Sequence, residues 1–318
     1  NLHPSLFPMN TRREFLRTGL TLGAAFSLTD MGGLFAADAQ SAAPGAGPRP
    51  VLVAVRDGDR VAMLDKAIAE LGGMGAFVKK GQSVVVKPNI GWDVPPERAA
   101  NTHPSIVKRL VEMCFEAGAA SVSVFDNTCD QWQKCYATSG IGAAAREAGA
   151  TMVNGKDESL YREVQIPGGR QLKSAKVHGL VLDSDVFINV PVLKHHGGAT
   201  MSAAMKNLMG VVWDRGFYHS NDLHQTITDF LTLRKPTLNV LDAYHPMVRN
   251  GPRGKSADDC IEMRTLLASA DIVALDSAAT KLLGHPEPGV IGHVRLGDEM
   301  GLGVMDLKRV DVRRIKLA

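Results

Sequence analysis

The sequence predicts an α/β fold: a mostly parallel or mixed sheet with helices on both faces. Short apolar runs alternate with amphipathic stretches along residues 51–318, which is the pattern of successive strand–helix units. The runs are separated by Gly, Pro, Asn and Asp, which favour turns. Apolar residues make up 45% of the 318-residue chain, enough to bury one large core.

The elements follow one another in a regular order. Runs rich in β-branched and apolar residues predict strands at residues 51–55, 83–86, 121–125, 152–153, 186–190, 238–241, 265–268 and 310–315. Stretches with an apolar face or helix-forming composition predict helices at residues 61–71, 103–117, 141–148, 201–209, 221–233 and 271–283. Between residues 156 and 176 the pattern loosens into a hairpin-like excursion around Pro167.

The first 39 residues predict an export signal. Arg12 and Arg13 precede Phe15 and Leu16, as in the twin-arginine signal. The apolar run at residues 19–28 is too short, and too rich in small residues, for a stable membrane span. Small residues at 37–39 suit peptidase cleavage.

This signal sets the expected domain organisation. We expect a signal region at residues 1–39, a loose linker at 40–50 and a single α/β domain at 51–318. Met9 stands where such a signal would normally begin, so residues 1–8 are expected to be upstream sequence. The precursor's expected partner is the twin-arginine export machinery, and its expected location is periplasmic or otherwise exported, with the signal either cleaved or kept as an anchor.

Polar side chains follow four predicted strands at the point where each strand ends. They are Lys87 and Asn89, Asp126 and Asn127, the segment Lys194-His195-His196, and Asp242. Ligands of parallel α/β sheets bind outside the carboxyl ends of the strands. Each of these residues also suits a turn, but together they predict one polar cleft.

Polar residues are most densely placed in residues 189–210. Lys194 and Lys206 lie on either side of Gly197-Gly198, and Asn207 follows Lys206. A helix at residues 201–209, capped by Thr200 or Ser202, would direct its free N–H groups toward the loop at 194–196. The segment therefore predicts a site for an anionic or metal-bound ligand; the alternative is a tight turn with solvated lysines. The residues expected to bind the anion are Lys87, Asn89, Asp126, Asn127, Lys194, Lys206 and Asn207.

Several of these segments resemble the family called domain of unknown function 362. The segments are Lys87-Pro88-Asn89, His103-Pro104, residues 189–195 and residues 204–210, and Arg215, His219, Asp242 and Gly251-Pro252 fit the same pattern. The resemblance covers residues 51–318. Some family members carry a fused ferredoxin-type domain with two cysteine-bound iron–sulfur clusters, which implies electron transfer in those members. No such cysteine run occurs in this sequence, so a redox link rests on the resemblance only.

Three residues are the candidates for catalysis. His195 and His196 are adjacent, so on an extended backbone they point to opposite sides and do not bind one ion together. His195, His219 and Asp242 would converge either as a metal site or as a general base, His195, oriented by Asp242. The simpler alternative is that each histidine bonds a backbone carbonyl.

The cysteine and glycine patterns argue against several cofactors. No Cys-x-x-Cys pair, P-loop or Rossmann glycine motif occurs. The cofactor is therefore unknown, with a metal ion as one candidate. Cys129 and Cys135 flank a five-residue loop, and a disulfide between them would close it after export.

Two classes of function remain. A formal net charge of +3 and an aromatic content of 5% do not suggest nucleic-acid binding. The first class is an exported enzyme acting on a small anionic substrate or a bound metal or cofactor. The second is a non-catalytic protein that holds a metal or cofactor for a redox partner, or helps in its maturation. We prefer the enzyme.

Overall fold

The computed structural model describes Leu34 and residues 49–318. The chain divides into one unit of residues 1–39 and a second of residues 40–318, and all elements named below lie in the second. Apart from Leu34, the predicted export signal lies outside the described residues, as does most of the linker. Within the described part of the chain, no helix has both the length and the apolar character needed to cross a membrane.

The described residues form twelve strands and ten α-helices. The strands are β1 (Val51–Arg56), β2 (Ser83–Pro88), β3 (Ser121–Val124), β4 (Thr151–Met152), β5 (Tyr161–Gln165), β6 (Ser174–His178), β7 (Val186–Val190), β8 (Val192–His196), β9 (Thr200–Ser202), β10 (Leu238–Met247), β11 (Thr265–Ser269) and β12 (Asp311–Lys316). The helices are α1 (Arg60–Glu70), α2 (Pro104–Glu116), α3 (Trp132–Thr138), α4 (Ile141–Glu147), α5 (Gly179–Asp183), α6 (Ala204–Asn207), α7 (Gly216–Ser220), α8 (Leu223–Phe230), α9 (Ile272–Leu282) and α10 (Gly292–Glu299).

Ten of the strands form one mixed sheet. Its main path runs β12-β1-β11-β10-β7-β2-β3-β4, while β8 pairs with β10 and with β9. Six of its nine strand pairings are parallel, so the predicted fold class is confirmed. The remaining strands, β5 and β6, form a separate antiparallel hairpin, as the loosened pattern at residues 156–176 predicts.

Both faces of the sheet are buried. Val84 and Val86 of β2 belong to a core cluster that includes apolar residues of α1, α2 and α4. Val85 lies between them and is also buried, and because side chains alternate along a strand it belongs to the opposite face. Helix α9 packs against β11 and α6, and ten of its eleven residues are buried. Helices therefore cover a sheet that is buried on both sides.

Two predicted elements differ from the structure in ways that affect the site. The strand predicted at residues 238–241 continues as β10 to Met247. The helix predicted at 201–209 is replaced by β9, the short α6 and a 3₁₀ turn at Leu208–Val211. Residues 200–202 pair antiparallel with β8, so cross-strand hydrogen bonds replace the first helical turn there.

Candidate functional site

A cavity of about 350 Å³ lies where β2, β3 and β7–β8 reach their carboxyl ends. We call it the strand-end cavity. Six of the seven predicted anion-binding residues line it: Lys87, Asn89, Asp126, Lys194, Lys206 and Asn207. The parallel register explains their proximity, because Lys87 at the end of β2 lies opposite Asn189 of β7. A volume of this size suits a small ligand.

A buried ion pair forms one wall of the cavity. Nζ of Lys87 lies 2.9 Å from Oδ1 of Asp126 and donates to Oδ1 of Asn207 at 2.9 Å. Burial lowers the pKa of Lys87, and the adjacent Asp126 carboxylate opposes that shift. The other Asp126 oxygen accepts from the backbone N–H of Ile90 at 2.7 Å. The two charges are thus paired and bonded, as buried charges require.

A chain of buried amides holds this wall in place. Nδ2 of Asn207 donates to Oδ1 of Asn189 at 2.8 Å. Asn189 in turn donates to Oδ1 of Asn239 at 3.0 Å and to the carbonyl of Ala204 at 3.0 Å. Because each amide uses both its donor and its acceptor here, the Asn207 side chain has one satisfied orientation.

Lys194 is buried without a carboxylate partner among the described residues. Its Nζ donates to the carbonyl of Ala100 at 2.7 Å and to Oδ1 of Asn89 at 3.2 Å, which leaves one of the three ammonium N–H groups free. Burial lowers its pKa to about 7, with the charges of Lys206 and Lys87 acting in the same direction. Lys194 therefore exchanges protons near neutral pH.

Lys206 has still fewer partners. The one hydrogen bond that its Nζ makes within the described chain goes to the Met209 sulfur at 3.4 Å, and a thioether is a weak acceptor. Burial lowers its pKa to about 8, with Arg215 and Lys87 adding to the shift. Arg215 also lines the cavity, and it donates to the carbonyl of Thr128 at 2.7 Å.

His196, not His195, faces the cavity. Lys194 and His196 are two residues apart on β8 and both line it, while His195 between them does not, as strand alternation requires. Nδ1 of His196 accepts from the N–H groups of Gly198 at 3.1 Å and Ala199 at 3.0 Å. The neutral ring therefore carries its proton on Nε2. Burial, with Lys206 and Lys194, lowers the pKa of His196 to about 3.

His219 lines the mouth of the cavity. Its ring stacks on that of His196 with centroids 6.4 Å apart, and its side chain is exposed. Burial is the largest cause that lowers its pKa, followed by the charge of Lys206. Both imidazoles are therefore neutral at pH 7.

The structure does not bring Asp242 to the cavity. Because β10 continues to Met247, Asp242 lies within the strand rather than at its end. Its carboxylate lies 3.7 Å from Nε of Arg60 and accepts from the backbone N–H of His103 at 3.1 Å. His195, His219 and Asp242 thus do not converge, and no group of three or more His, Cys, Asp or Glu within the described residues is arranged to hold a metal ion.

Asn127 supports the cavity from outside. Its Nδ2 donates to the carbonyls of Val212 at 2.8 Å and Trp213 at 3.2 Å. Its backbone N–H donates to the carbonyl of Gly210 at 3.0 Å. These bonds fix the segment after α6, so Asn127 positions the wall and does not face a ligand.

The first N–H groups of α6 are not available to a ligand in the cavity either. Those of Ala204 and Met205 donate to the carboxylate of Asp276 at 2.7 and 2.9 Å. Asp276 belongs to α9 and is fully buried. The predicted donation from this helix to an anion is therefore wrong, because a carboxylate from 72 residues further along the chain already occupies those donors.

Cys129 and Cys135 are both free thiols, so the structure does not contain the predicted disulfide. Cys135 is buried on α3 and interacts with the carbonyl of Gly91. Cys129 is exposed and lines the cavity, where Nη1 of Arg215 lies 3.3 Å from its sulfur. The two side chains therefore have different surroundings: Cys135 is buried on α3, and Cys129 lies at the cavity.

Sequence reasoning gave four contributors to the site no individual binding or catalytic role. They are His196, Arg215 and Cys129 at the cavity and Asn189 behind it. The i, i+2 spacing of Lys194 and His196 could have identified the histidine, since residues two apart share a strand face. No local signal identifies Cys129 or Asn189, because their roles depend on residues far away in the chain.

Comparisons with known proteins find one relative by sequence and two by structure. A thylakoid-associated protein of Synechocystis sp. is 28% identical over 264 residues, which cover 77% of this chain and 76% of that protein. A lactate racemase apoprotein from Thermoanaerobacterium thermosaccharolyticum aligns with a TM-score of 0.43 at 11% identity, over 70% of this chain and 54% of the other. A Thermotoga maritima protein aligns with a TM-score of 0.42 at 12% identity, over 60% and 52%.

The chain thus spans about half the length of each of these two solved chains. A family model described as domain of unknown function, DUF362, matches residues 84–281. That range contains every residue assigned to the strand-end cavity above and more than half of the chain. The protein therefore belongs to the domain of unknown function 362 family.

Proposed function

We propose that the strand-end cavity binds a small anion and that the protein is an enzyme acting on it. One observation carries this proposal: Lys194, Lys206 and Arg215 line the same cavity, and none has a carboxylate partner among the described residues. The one carboxylate in the lining, Asp126, is already paired with Lys87. A desolvated cavity with this excess of cations favours an anionic ligand.

The same residues support proton transfer as the chemistry. A general acid or base works best with a pKa near the working pH, and the pKa of Lys194 is about 7. His196 presents an N–H donor at Nε2, and the exposed His219 ring connects the cavity to solvent. The cavity thus combines cations for binding with groups that exchange protons near neutrality.

Replacing Lys194 with alanine is expected to weaken anion binding by about 1–3 kcal/mol, because a charge-assisted contact is lost. Calorimetric titration with phosphate, sulfate and oxalate measures the effect. Lys134→Ala removes an exposed lysine outside the cavity and should leave the affinity unchanged. Equal affinity of wild type and Lys194→Ala for every bound anion would contradict the proposal.

Anion affinity should also fall as the pH rises from about 6 to 9. The pKa of Lys194 is about 7 and that of Lys206 about 8, so each amine loses its charge in turn across this interval. A decrease in affinity with rising pH is the direction expected of a cationic site. The anion binds the protonated amines of Lys194 and Lys206, so binding raises the pKa of both. Titrations with sulfate, which keeps its charge throughout, measure the slope, and an affinity that increases with pH would exclude the lysines as the binding groups.

Turnover separates the enzyme from the non-catalytic alternative. Proton NMR in deuterated water, with each small carboxylate that binds, reports exchange of carbon-bound hydrogen. Catalysis is supported if the wild type exchanges this hydrogen and if the His219→Ala variant exchanges it more slowly while binding the ligand equally well. Tight binding with no exchange or other conversion supports instead a protein that holds its ligand for a redox partner.

We also propose export through the twin-arginine route, on the evidence of Arg12 and Arg13 before Phe15-Leu16. Changing both arginines to lysine should retain the precursor in the cytoplasm. Arg17→Lys, five residues beyond Arg12, is the matched control and should be exported normally. Fractionation of cells expressing each variant measures this, and normal export of the double variant would refute it.

A further inference from the structure

We propose that Lys206 forms an imine with a carbonyl compound that carries an anionic group, of which a 2-oxo carboxylate is the simplest class. The inference rests on the proposed function, since it names the substrate class of the same cavity. It assigns Lys206 as the covalent residue and leaves Lys194 and Arg215 to bind the anionic group.

The three lysines of the cavity differ in what surrounds the amine. Lys87 is paired with Asp126 at 2.9 Å and bonded to Asn207, so its amine is held by two oxygen partners. Lys194 donates to two oxygen acceptors, which orient it and hold it against the wall. Lys206 interacts only with the Met209 sulfur, considering the described residues. Its amine is therefore the one least committed to a protein partner.

The backbone at Lys206 is fixed, although its amine is held, in the part of the chain that the structure describes, only by a weak bond to a sulfur atom. The N–H groups of Ala204 and Met205 donate to Asp276, and the neighbouring Asn207 is bonded to Asn189. The backbone on both sides of Lys206 is thus anchored to the core. A nucleophile on a rigid element reaches a bound carbonyl in a reproducible geometry.

Neighbouring cations favour the neutral amine that the reaction needs. Burial is the largest cause that lowers the pKa of Lys206, and the charges of Arg215 and Lys87 act in the same direction. A lysine amine is activated in this way when it is desolvated beside other cations. Arg215 is also one of the two cations that bind the carboxylate of the substrate, so this residue contributes to both binding and activation.

The chemistry balances without an oxidant or reductant. The neutral Lys206 amine attacks the carbonyl carbon, a C–N bond forms, and the carbonyl electron pair moves to oxygen, which takes up a proton. The amine nitrogen then loses a proton and the hydroxyl leaves as water after protonation, giving the protonated imine. His196 carries its N–H on Nε2 and is the residue suited to donate a hydrogen bond to that oxygen, while His219 exchanges the protons with solvent.

Reductive trapping tests the inference. The full-length folded protein is incubated with pyruvate and cyanoborohydride, and its intact mass and peptide map are measured. We expect a gain equal to one pyruvate less one oxygen atom, confined to the peptide that contains Lys206. Propanoate, which has the anion but no carbonyl, should give no adduct, and acetone, which has the carbonyl but no anion, should give at least tenfold less.

Variants of Lys206 and Lys194 test whether Lys206 is the residue that forms the imine. Lys206→Arg and Lys206→Gln should both abolish the adduct, whereas Lys194→Met should retain it but require at least a tenfold higher pyruvate concentration. Pyruvate binding measured by calorimetry without a trapped adduct, or an adduct distributed over surface lysines, would overturn the imine while leaving the anion site standing. Failure to bind pyruvate, phosphate, sulfate and oxalate alike would overturn the proposed function itself.

Discussion

Replacing Gly210 with alanine is expected to destabilise the protein by about 3–5 kcal/mol, the usual range for disrupting a buried ion pair. A methyl group at this position would overlap Oδ1 of Asp126 and lie 2.7 Å from Nζ of Lys87. Both partners are almost fully buried, so neither side chain can move aside into solvent. The pair must separate, or the backbone at residue 210 must shift and lose its bond to Asn127.

Urea unfolding measures this effect, and Gly197→Ala is its matched control. A methyl group on Gly197 would meet nothing within 4 Å, so that variant should stay within about 0.5 kcal/mol of wild type. The two glycines lie in one segment of the sequence and differ in what surrounds them. Similar unfolding midpoints for both variants would contradict the close approach of Gly210 to the Lys87–Asp126 pair.

The fold class could be predicted from the sequence because it depends on local patterns. Alternating apolar and amphipathic stretches determine which segments form strands and helices, and the parallel arrangement follows from their alternation. The same rule places polar residues after strands at one edge of the sheet. Lys87 lies at the end of β2, Asn89 and Asp126 follow β2 and β3, and the structure brings all three to one cavity.

The errors arise where a residue far along the chain decides the outcome. The length of β10 depends on its pairing with β8 and β11, and that length places Asp242 away from the cavity. The N–H groups that start α6 are bound by Asp276, which no motif near residue 204 indicates. Cys129 and Cys135 are close in sequence, but Cys129 is exposed and Cys135 is buried on α3.

Asp276 provides the second large effect. Asp276→Ala leaves the N–H groups of Ala204 and Met205 buried without an acceptor, at about 1–3 kcal/mol for each. The loss should extend to function, because these bonds anchor the short helix that carries Lys206 and Asn207. We therefore expect lower stability together with weaker anion binding, although Asp276 itself does not line the cavity.

The pH dependence of this loss distinguishes Asp276 from an ordinary helix cap. Burial raises the pKa of its carboxyl group from 3.8 to about 7, so the folded state binds the proton more tightly than the unfolded state. The resulting stabilisation is fully present below about pH 4 and is lost as the pH rises toward 7. Asp276→Ala removes this contribution, so the difference in unfolding free energy between wild type and variant should be larger at pH 5 than at pH 8.

Asp306→Ala is the control for that comparison. Asp306 also accepts a backbone N–H, that of Lys308 at 3.0 Å, but from an exposed position. Water replaces the lost acceptor there, so the cost should stay within about 0.5–2 kcal/mol. A loss that increases from pH 5 to pH 8 would contradict the raised pKa of Asp276. A loss for Asp276→Ala no greater than that for Asp306→Ala would mean that Asp276 does not hold α6. The positions of Lys206 and Asn207 would then have to be set by the Asn189 amide and the packing of α9 alone.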